Sequence, residues 1–392
     1  MNQHPYFPAA LCILFLISHS LLIGQKCLFS QPANSIAMPL PFIENEHETL
    51  HITVVIHLIT EEGYTPISNQ QVFDQLEALN RDFNKKNLEW KRLSLNDQAT
   101  TGNAKIQFHL ASKTPSGQPT NGITHTVTDV KAIGIKEALF FSDLGGKDPW
   151  PNNQFLNIWV CKMPDGLLGF ASSPDKIGQR EDGIVLNQSV FGITNAQSPY
   201  HLGRTLVHEV GHYLGLQHPW GSLGSSCEED DGLEDTPLQK GPHYGCPLNE
   251  SMLCDPSEVF YWNFMDFTAD CCMASFTKDQ VRLMRSVVKT QRASLIQAFP
   301  KMPPAVQEDI AISTYPNPAK NVFILKWNSF AVTHIIAYNM LGEQLILLPI
   351  PKGRTQIELC ASTFPKGMIL FYLYGTQNQT PYLFGKQKVI IQ

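Results

Sequence analysis

The sequence predicts a mixed α/β domain followed by a small all-β sandwich. Three observations predict it. First, β-branched apolar runs and segments of helical period alternate over the first part of the chain, beginning with HITVVIHLIT at His51–Thr60. Second, Phe299-Pro300-Lys301-Met302-Pro303-Pro304 interrupts both patterns. Third, short segments separated by turn residues fill the chain after that break.

The elements follow in order. His51–Thr60 reads as a buried strand. Ser68 caps a helix to about Lys85, with Val72, Leu76, Leu79 and Phe83 on one face. Lys105–Leu110 alternates and reads as a strand, and Thr120–Thr128 extends the sheet. Phe155–Cys161 is another strand, and Gly169–Pro174 and Gly183–Val190 are shorter extended pieces. A helix begins near Gly203. Pro219–Asp270 is rich in Gly, Pro and Cys and has little period, so it needs staples. Thr277 caps a final helix to about Phe299, carrying Val281, Met284, Val288 and Leu295. Beyond Ile312, strands are expected at Val322–Trp327, His334–Asn339, Gln356–Leu359, Ile369–Tyr374 and Gln387–Ile391.

Length and composition set bounds. The 392 residues hold two domains, and a net charge of −6 argues against nucleic acid as the main partner. Several of the nine cysteines fall between Cys227 and Cys272, a cluster that reads as disulfides outside the cytosol. Residues 9–24 form an apolar run of signal-peptide length, short for a membrane span, although no Lys or Arg precedes it. Residues 1–24 are therefore expected to be a signal peptide, with an uncleaved N-terminal anchor as the alternative, and 25–46 a pro-segment or a disordered leader, in a protein that is secreted or held at the cell surface after passing the periplasm.

The chemistry lies in His208-Glu209-Val210-Gly211-His212-Tyr213-Leu214-Gly215-Leu216-Gln217-His218. Histidines four apart share one helix face and can grip one zinc. Glu209 points elsewhere on the helix, but can serve as general base on a water activated by that metal. Gly215 accepts positive φ, so the helix can stop and return His218 to the same ion. Three nitrogen ligands leave a fourth position open, as catalytic rather than structural zinc requires. Asn263-Phe264-Met265-Asp266-Phe267 is the second element.

With these motifs, and with Asp231-Gly232-Leu233-Glu234-Asp235-Thr236-Pro237 between them, the chain resembles the pappalysin family of metzincin metallopeptidases over residues 47–298. The resemblance implies a twisted mixed sheet with a zinc helix and a C-terminal helix. It implies zinc on His208, His212 and His218, Glu209 as general base and acid, and Met265 in a turn beneath the metal. The reaction implied is endopeptidic hydrolysis of protein or peptide substrates. It also implies disulfides Cys227–Cys254 and Cys246–Cys272, which the spacing of four cysteines does not settle, and leaves Cys271 over near the pocket for the residue after the scissile bond. Structural calcium at Asp231 and Thr236, with the Asp230 and Glu234 carbonyls, is implied in the same way; a solvated acidic loop is the plainer reading of that run. One departure stands out. The family places Tyr two residues past the Met, where its hydroxyl steadies the oxyanion; here the residue is Phe267, with Tyr261 and Tyr244 as replacements.

Cys27, which would survive signal cleavage, is a candidate zinc-switch cysteine holding the precursor latent; an incidental cysteine is the alternative. Cys161 and Cys360 are expected to be buried thiols. His51, His57, His109, His201 and His243 are expected to be ordinary strand or loop histidines. Residues 311–392, after a linker at 299–310, resemble the C-terminal sorting domain of type IX secretion through Tyr315-Pro316-Asn317-Pro318-Ala319, Asn339-Met340-Leu341-Gly342-Glu343, Pro365-Lys366-Gly367-Met368 and the closing Gly385–Gln392 segment. This implies contact with the outer-membrane secretion machinery. The expected function is a secreted zinc endopeptidase. The alternative is a metzincin-fold binding or adhesion module of weak or absent activity, favoured by Phe267 and opposed by Glu209.

Overall fold

The computed structural model describes residues 48–193, 196–221, 227–247, 252–255, 260–296, 311–338, 344–351, 353–377 and 380–392. The expected signal peptide, pro-segment, Cys27 and linker lie outside these residues. So does the Asn339–Glu343 motif.

Strand β1 (Leu50–Glu61) is the spine of the first unit, and every residue in it but His51 is buried. A strand covered on both faces needs a continuous apolar run, which HITVVIHLIT supplies. Burial of each such Val, Leu or Ile side chain stabilises the fold by about 1.5–3 kcal/mol. Strands β2 (Ile106–Leu110) and β3 (Ile123–Thr128) pair in parallel with successive halves of one edge of β1. On its other edge β1 pairs in parallel with β4 (Leu156–Cys161), and β4 with β6 (Ile184–Asn187). Strand β5 (Gly169–Ala171) closes the far edge and is antiparallel to β6. The sheet is thus mixed, with one antiparallel strand at its rim.

Helices cover one face. Helix α1 (Asn69–Phe83) starts in a capping box between Ser68 and Gln71 and buries Val72, Leu79 and Phe83. A short α2 (Leu95–Thr100), capped by Ser94, has no buried residue and had no apolar period to reveal it. Helix α3 (Arg204–Tyr213) is buried along its whole length. Helix α4 (Lys278–Thr290) begins in a second capping box, Thr277 with Gln280. It ends well before the expected Phe299. Buried Arg292 donates to the Tyr213 carbonyl at 3.1 Å and pairs with Asp182 at 3.0 Å, which turns the chain away from the helix axis. Leu295 sits in a separate short turn and still reaches the core.

The chain divides into two compact units, Met1–Leu110 with Ile123–Ile296 and Ala111–Gly122 with Gln297–Gln392. The second unit is a sandwich. One sheet runs β10 (Gln344–Pro349), β9 (Val332–Tyr338), β12 (Gly367–Gln377), β13 (Thr380–Ile391), and the other β11 (Gln356–Cys360), β8 (Val322–Trp327), β7 (Ile312–Tyr315). Phe323, Leu325, Trp327, Phe371 and Val389 are among its core residues. β7 and β10 were not foreseen, the latter because Leu345-Ile346-Leu347-Leu348 has no period of two. Cys360 is exposed, contrary to expectation, because alternation along β11 turns Leu359 inward and Cys360 outward. Cys161 is buried. No helix among the described residues is long and apolar enough to cross a membrane.

Candidate active site

Helix α3 opens at Gly203, whose φ of +79° is the left-handed conformation glycine adopts without strain, and no side chain of its own caps it. Asp270 substitutes from a distance. Its Oδ2 accepts from the Leu202 and Arg204 amides at 2.8 and 3.3 Å. Gln75 donates to the Gly203 carbonyl at 2.9 Å. Arg204 is fully buried, pairs with Asp82 and Glu89 at 3.2 and 3.0 Å, and donates to the carbonyls of Asp270 and Met273. At the other end the Leu216 amide returns to the Gly211 carbonyl at 3.0 Å, and Gly215 has φ +92°. That turn brings His218 back beside the helix.

The three histidines converge. Nε2 of His212 lies 3.1 Å from Nε2 of His208 and 3.0 Å from that of His218, and the remaining side of the triangle is 3.3 Å. His208 Nδ1 contacts the Phe264 carbonyl and His212 Nδ1 the Leu216 carbonyl, both at 2.8 Å. A carbonyl only accepts, so each Nδ1 carries the proton and each Nε2 presents a lone pair. Burial lowers the His212 pKa to about 4, which keeps that ring neutral. Three ligands about 2.05 Å from a tetrahedral zinc stand about 3.3 Å apart, so this donor set fits the ion. Glu209 is fully buried on the same helix. Its Cγ lies 3.2 Å from where a Cβ on Gly169 would stand, so the bare backbone of β5 passes directly over it. Gly169 was not singled out in the sequence, since one glycine in an extended piece carries no distinguishing signal.

Met265 is buried beneath α3, and a Cβ on Gly211 would run into its sulfur. Its amide is held by Asn263 Oδ1 at 2.9 Å. Asp266 organises the loop behind. It accepts from the Phe267 amide at 2.7 Å, from the His243 amide at 2.8 Å, and from His243 Nδ1 at 2.7 Å. His243 Nε2 in turn accepts from the Met252 amide at 3.0 Å. His243 is a loop histidine, as expected, but it ties Met252 to the methionine turn. The sequence offered no periodicity by which to see that.

Phe267 packs on two of the three histidines. Its ring centroid is 4.9 Å from that of His218 and 5.7 Å from that of His208. Trp220 stacks on His218 at 4.6 Å and meets Phe267 at 5.0 Å. Of the two tyrosines, Tyr244 faces Phe267 at 6.2 Å, while Tyr261 lies by His243 at 6.5 Å. Tyr244 also lines a cavity of about 950 Å³ with Tyr200, Asn187, Met163, Ile67 and Tyr64. Leu168, which adjoins β5, borders the same cavity. None of the three histidines lines it.

Between α3 and the turn, Cys227 bonds Cys254 and Cys246 bonds Cys272. Asp231 is buried. Its Oδ1 accepts from Thr236 Oγ1 at 2.5 Å and from the Leu233 amide at 3.2 Å. Its Oδ2 has no partner among the described residues, and burial raises its pKa to about 8. His51, His57 and His109 sit on β1 and β2 outside the histidine cluster.

A buried histidine triad on a helix and its return turn, with a glutamate beside it and a methionine floor on a mixed sheet, defines a metallopeptidase of the metzincin class. Comparison with known proteins places it more closely: the chain belongs to the pappalysin family. The profile of the family described as pregnancy-associated plasma protein-A matches residues 142–289, and that of the secretion-system C-terminal sorting domain matches residues 313–392. An extracellular metalloprotease of Arthroderma benhamiae is 30% identical over 64% of this chain and 76% of its own length. One from Aspergillus oryzae is 32% identical over 59% and 74%. Mature mirolysin of Tannerella forsythia, solved with a cleaved peptide, is 39% identical with a TM-score of 0.61, covering 64% of this chain and 96% of mirolysin. Promirolysin matches at 38% identity and a TM-score of 0.60, over 64% of this chain and 85% of its own. The protein is an extracellular metalloendopeptidase, secreted or at the cell surface.

Proposed function

We propose that this metalloprotease is a zinc endopeptidase in which His208, His212 and His218 hold the ion and Glu209 is the general base and acid. The observation that carries this is the triangle of three buried Nε2 atoms, two of them with the proton fixed on the far nitrogen. Zinc, when bound, supplies Lewis-acid polarisation of a water and of the scissile carbonyl. Glu209 takes the proton of the attacking water and delivers it to the leaving amine. The open edge of β5 offers backbone groups to an extended peptide lying over Glu209. We assign residues 47–298 to catalysis, 299–310 to a linker and 311–392 to recognition by the outer-membrane secretion machinery. Calcium at the 231–236 loop is part of the proposal, supported by the partnerless buried oxygen of Asp231.

Glu209→Ala, assayed beside the parent on casein and gelatin at equal bound zinc, tests the reading. The parent is expected to cleave and the variant to lose about 10²–10⁴-fold. Equal background-level cleavage by both would leave the second reading, a binding module, which Phe267 favours because it brings no hydroxyl to the oxyanion.

A further inference from the structure

Three sulfurs meet on the segment that follows the methionine turn. Cys271 is an exposed free thiol. Its Sγ lies 3.5 Å from Sγ of Cys246 and 3.8 Å from Sγ of Cys272, the two atoms of the neighbouring disulfide. The cluster lies outside the histidine site and shares no residue with it. We propose that it is a thiol–disulfide exchange site at which Cys246 bonds alternately to Cys272 and to Cys271.

The step needs no outside oxidant. The Cys271 thiolate attacks Cys246 Sγ, the Cys246–Cys272 bond breaks, and Cys272 leaves as thiolate and takes up the proton that Cys271 gave up. One S–S bond forms as one is lost. Attack on the other sulfur is disfavoured, because adjacent residues hold their Cα atoms about 3.8 Å apart and a disulfide prefers about 4.4–6.8 Å. The Cα atoms of Cys246 and Cys272 are 5.7 Å apart, and Cys271 is the next residue along. Its sulfur lies beside the bond, and attack runs in line with the bond that breaks, so the step requires the exposed Cys271 side chain to rotate to the far side of Cys246.

Exchange has a local consequence. Arg204 grips the carbonyls of Asp270 and Met273, on either side of the two cysteines. The Asp270 amide donates to the Pro199 carbonyl at 3.1 Å, and Pro199 and Tyr200 line the large cavity. With both flanks held, moving the bond by one residue must re-form the turn at 270–272, which is one wall's support for that cavity.

Alkylation mapping tests the proposal on the folded chain. The free thiol is labelled with N-ethylmaleimide, once in acid and once after incubation in alkaline buffer, where thiolates form. The disulfide cysteines are then reduced and labelled with iodoacetamide, and fragment ions separate position 271 from position 272. The expected result is maleimide on Cys271 in acid and on both Cys271 and Cys272 after the alkaline incubation. Maleimide on Cys271 alone under both conditions would overturn the exchange. Cys272→Ser is expected to form Cys246–Cys271 and keep no free thiol in this cluster; two free thiols in a folded Cys272→Ser protein would also overturn it. Should that variant fail to fold, the parent's labelling pattern still decides.

Discussion

All ten residues of α3 are buried, whereas along β8 every second residue faces solvent. The two elements are ordered by different means. β8 needs only alternation, which places Phe323, Leu325 and Trp327 inward and leaves Val322, Ile324 and Lys326 outside. α3 carries Arg204, His208, Glu209 and His212 into the interior, where each polar group needs a partner. Those partners come from far along the chain: Asp82, Phe264, Asp270 and Met273. The lesson is that the reactive helix depends on contacts no local sequence rule describes, while the sandwich depends on little else than its local pattern.

That contrast predicts unequal sensitivity. Arg204→Met strips a buried ion pair of one member, so a loss of about 3–5 kcal/mol is expected, seen as a large drop of the catalytic unit's calorimetric transition. Lys326→Ala, on the outer face of β8, is expected to change stability by no more than about 0.5 kcal/mol. Equal losses would break the comparison.

Phe267→Tyr sharpens it at the site itself. The added hydroxyl can supply the missing oxyanion donor, with a gain in kcat of up to about a hundredfold. An unchanged kcat on a peptide substrate would mean that another donor, such as Tyr244, already does this. Gly211→Ala is expected to cost about 1–3 kcal/mol, because the new methyl displaces the Met265 sulfur. It should also release zinc faster to a chelator. Wild-type zinc retention would show that Met265 does not support the ligands.

A pH-dependent effect is expected at Asp231. With its folded pKa raised to about 8, the folded state keeps a proton that the unfolded state releases near 4. Calcium-free protein should therefore lose stability as pH rises between those values. On the proposal that calcium takes the place of that proton, Tm measured at saturating zinc should fall with pH in EGTA and stay level with calcium. Parallel Tm curves would remove calcium from the loop.

Much of the fold was legible where side chains repeat. β1, α1 and the inward positions of β8 follow from period alone. The histidines, Glu209 and Gly215 were legible because their spacing maps onto one helix and its stop. Gln75, Asp82, Arg204 and Asp270 were not, since their partners are brought together only by the tertiary fold. Gly169 and Gly211 escaped notice for another reason: each matters for the side chain it lacks, beside Glu209 and Met265. The end of α4 was misplaced because burial of Arg292 against Asp182 outweighs the helical period that continues to Leu295.

X-ray absorption at the zinc edge tests the central claim most directly, because the described residues include a sulfur cluster as well as the histidine cluster. The account predicts one zinc per chain with three imidazole nitrogens at about 2.0–2.1 Å and no sulfur. A sulfur shell at about 2.3 Å, or a spectrum without imidazole scattering, would contradict it.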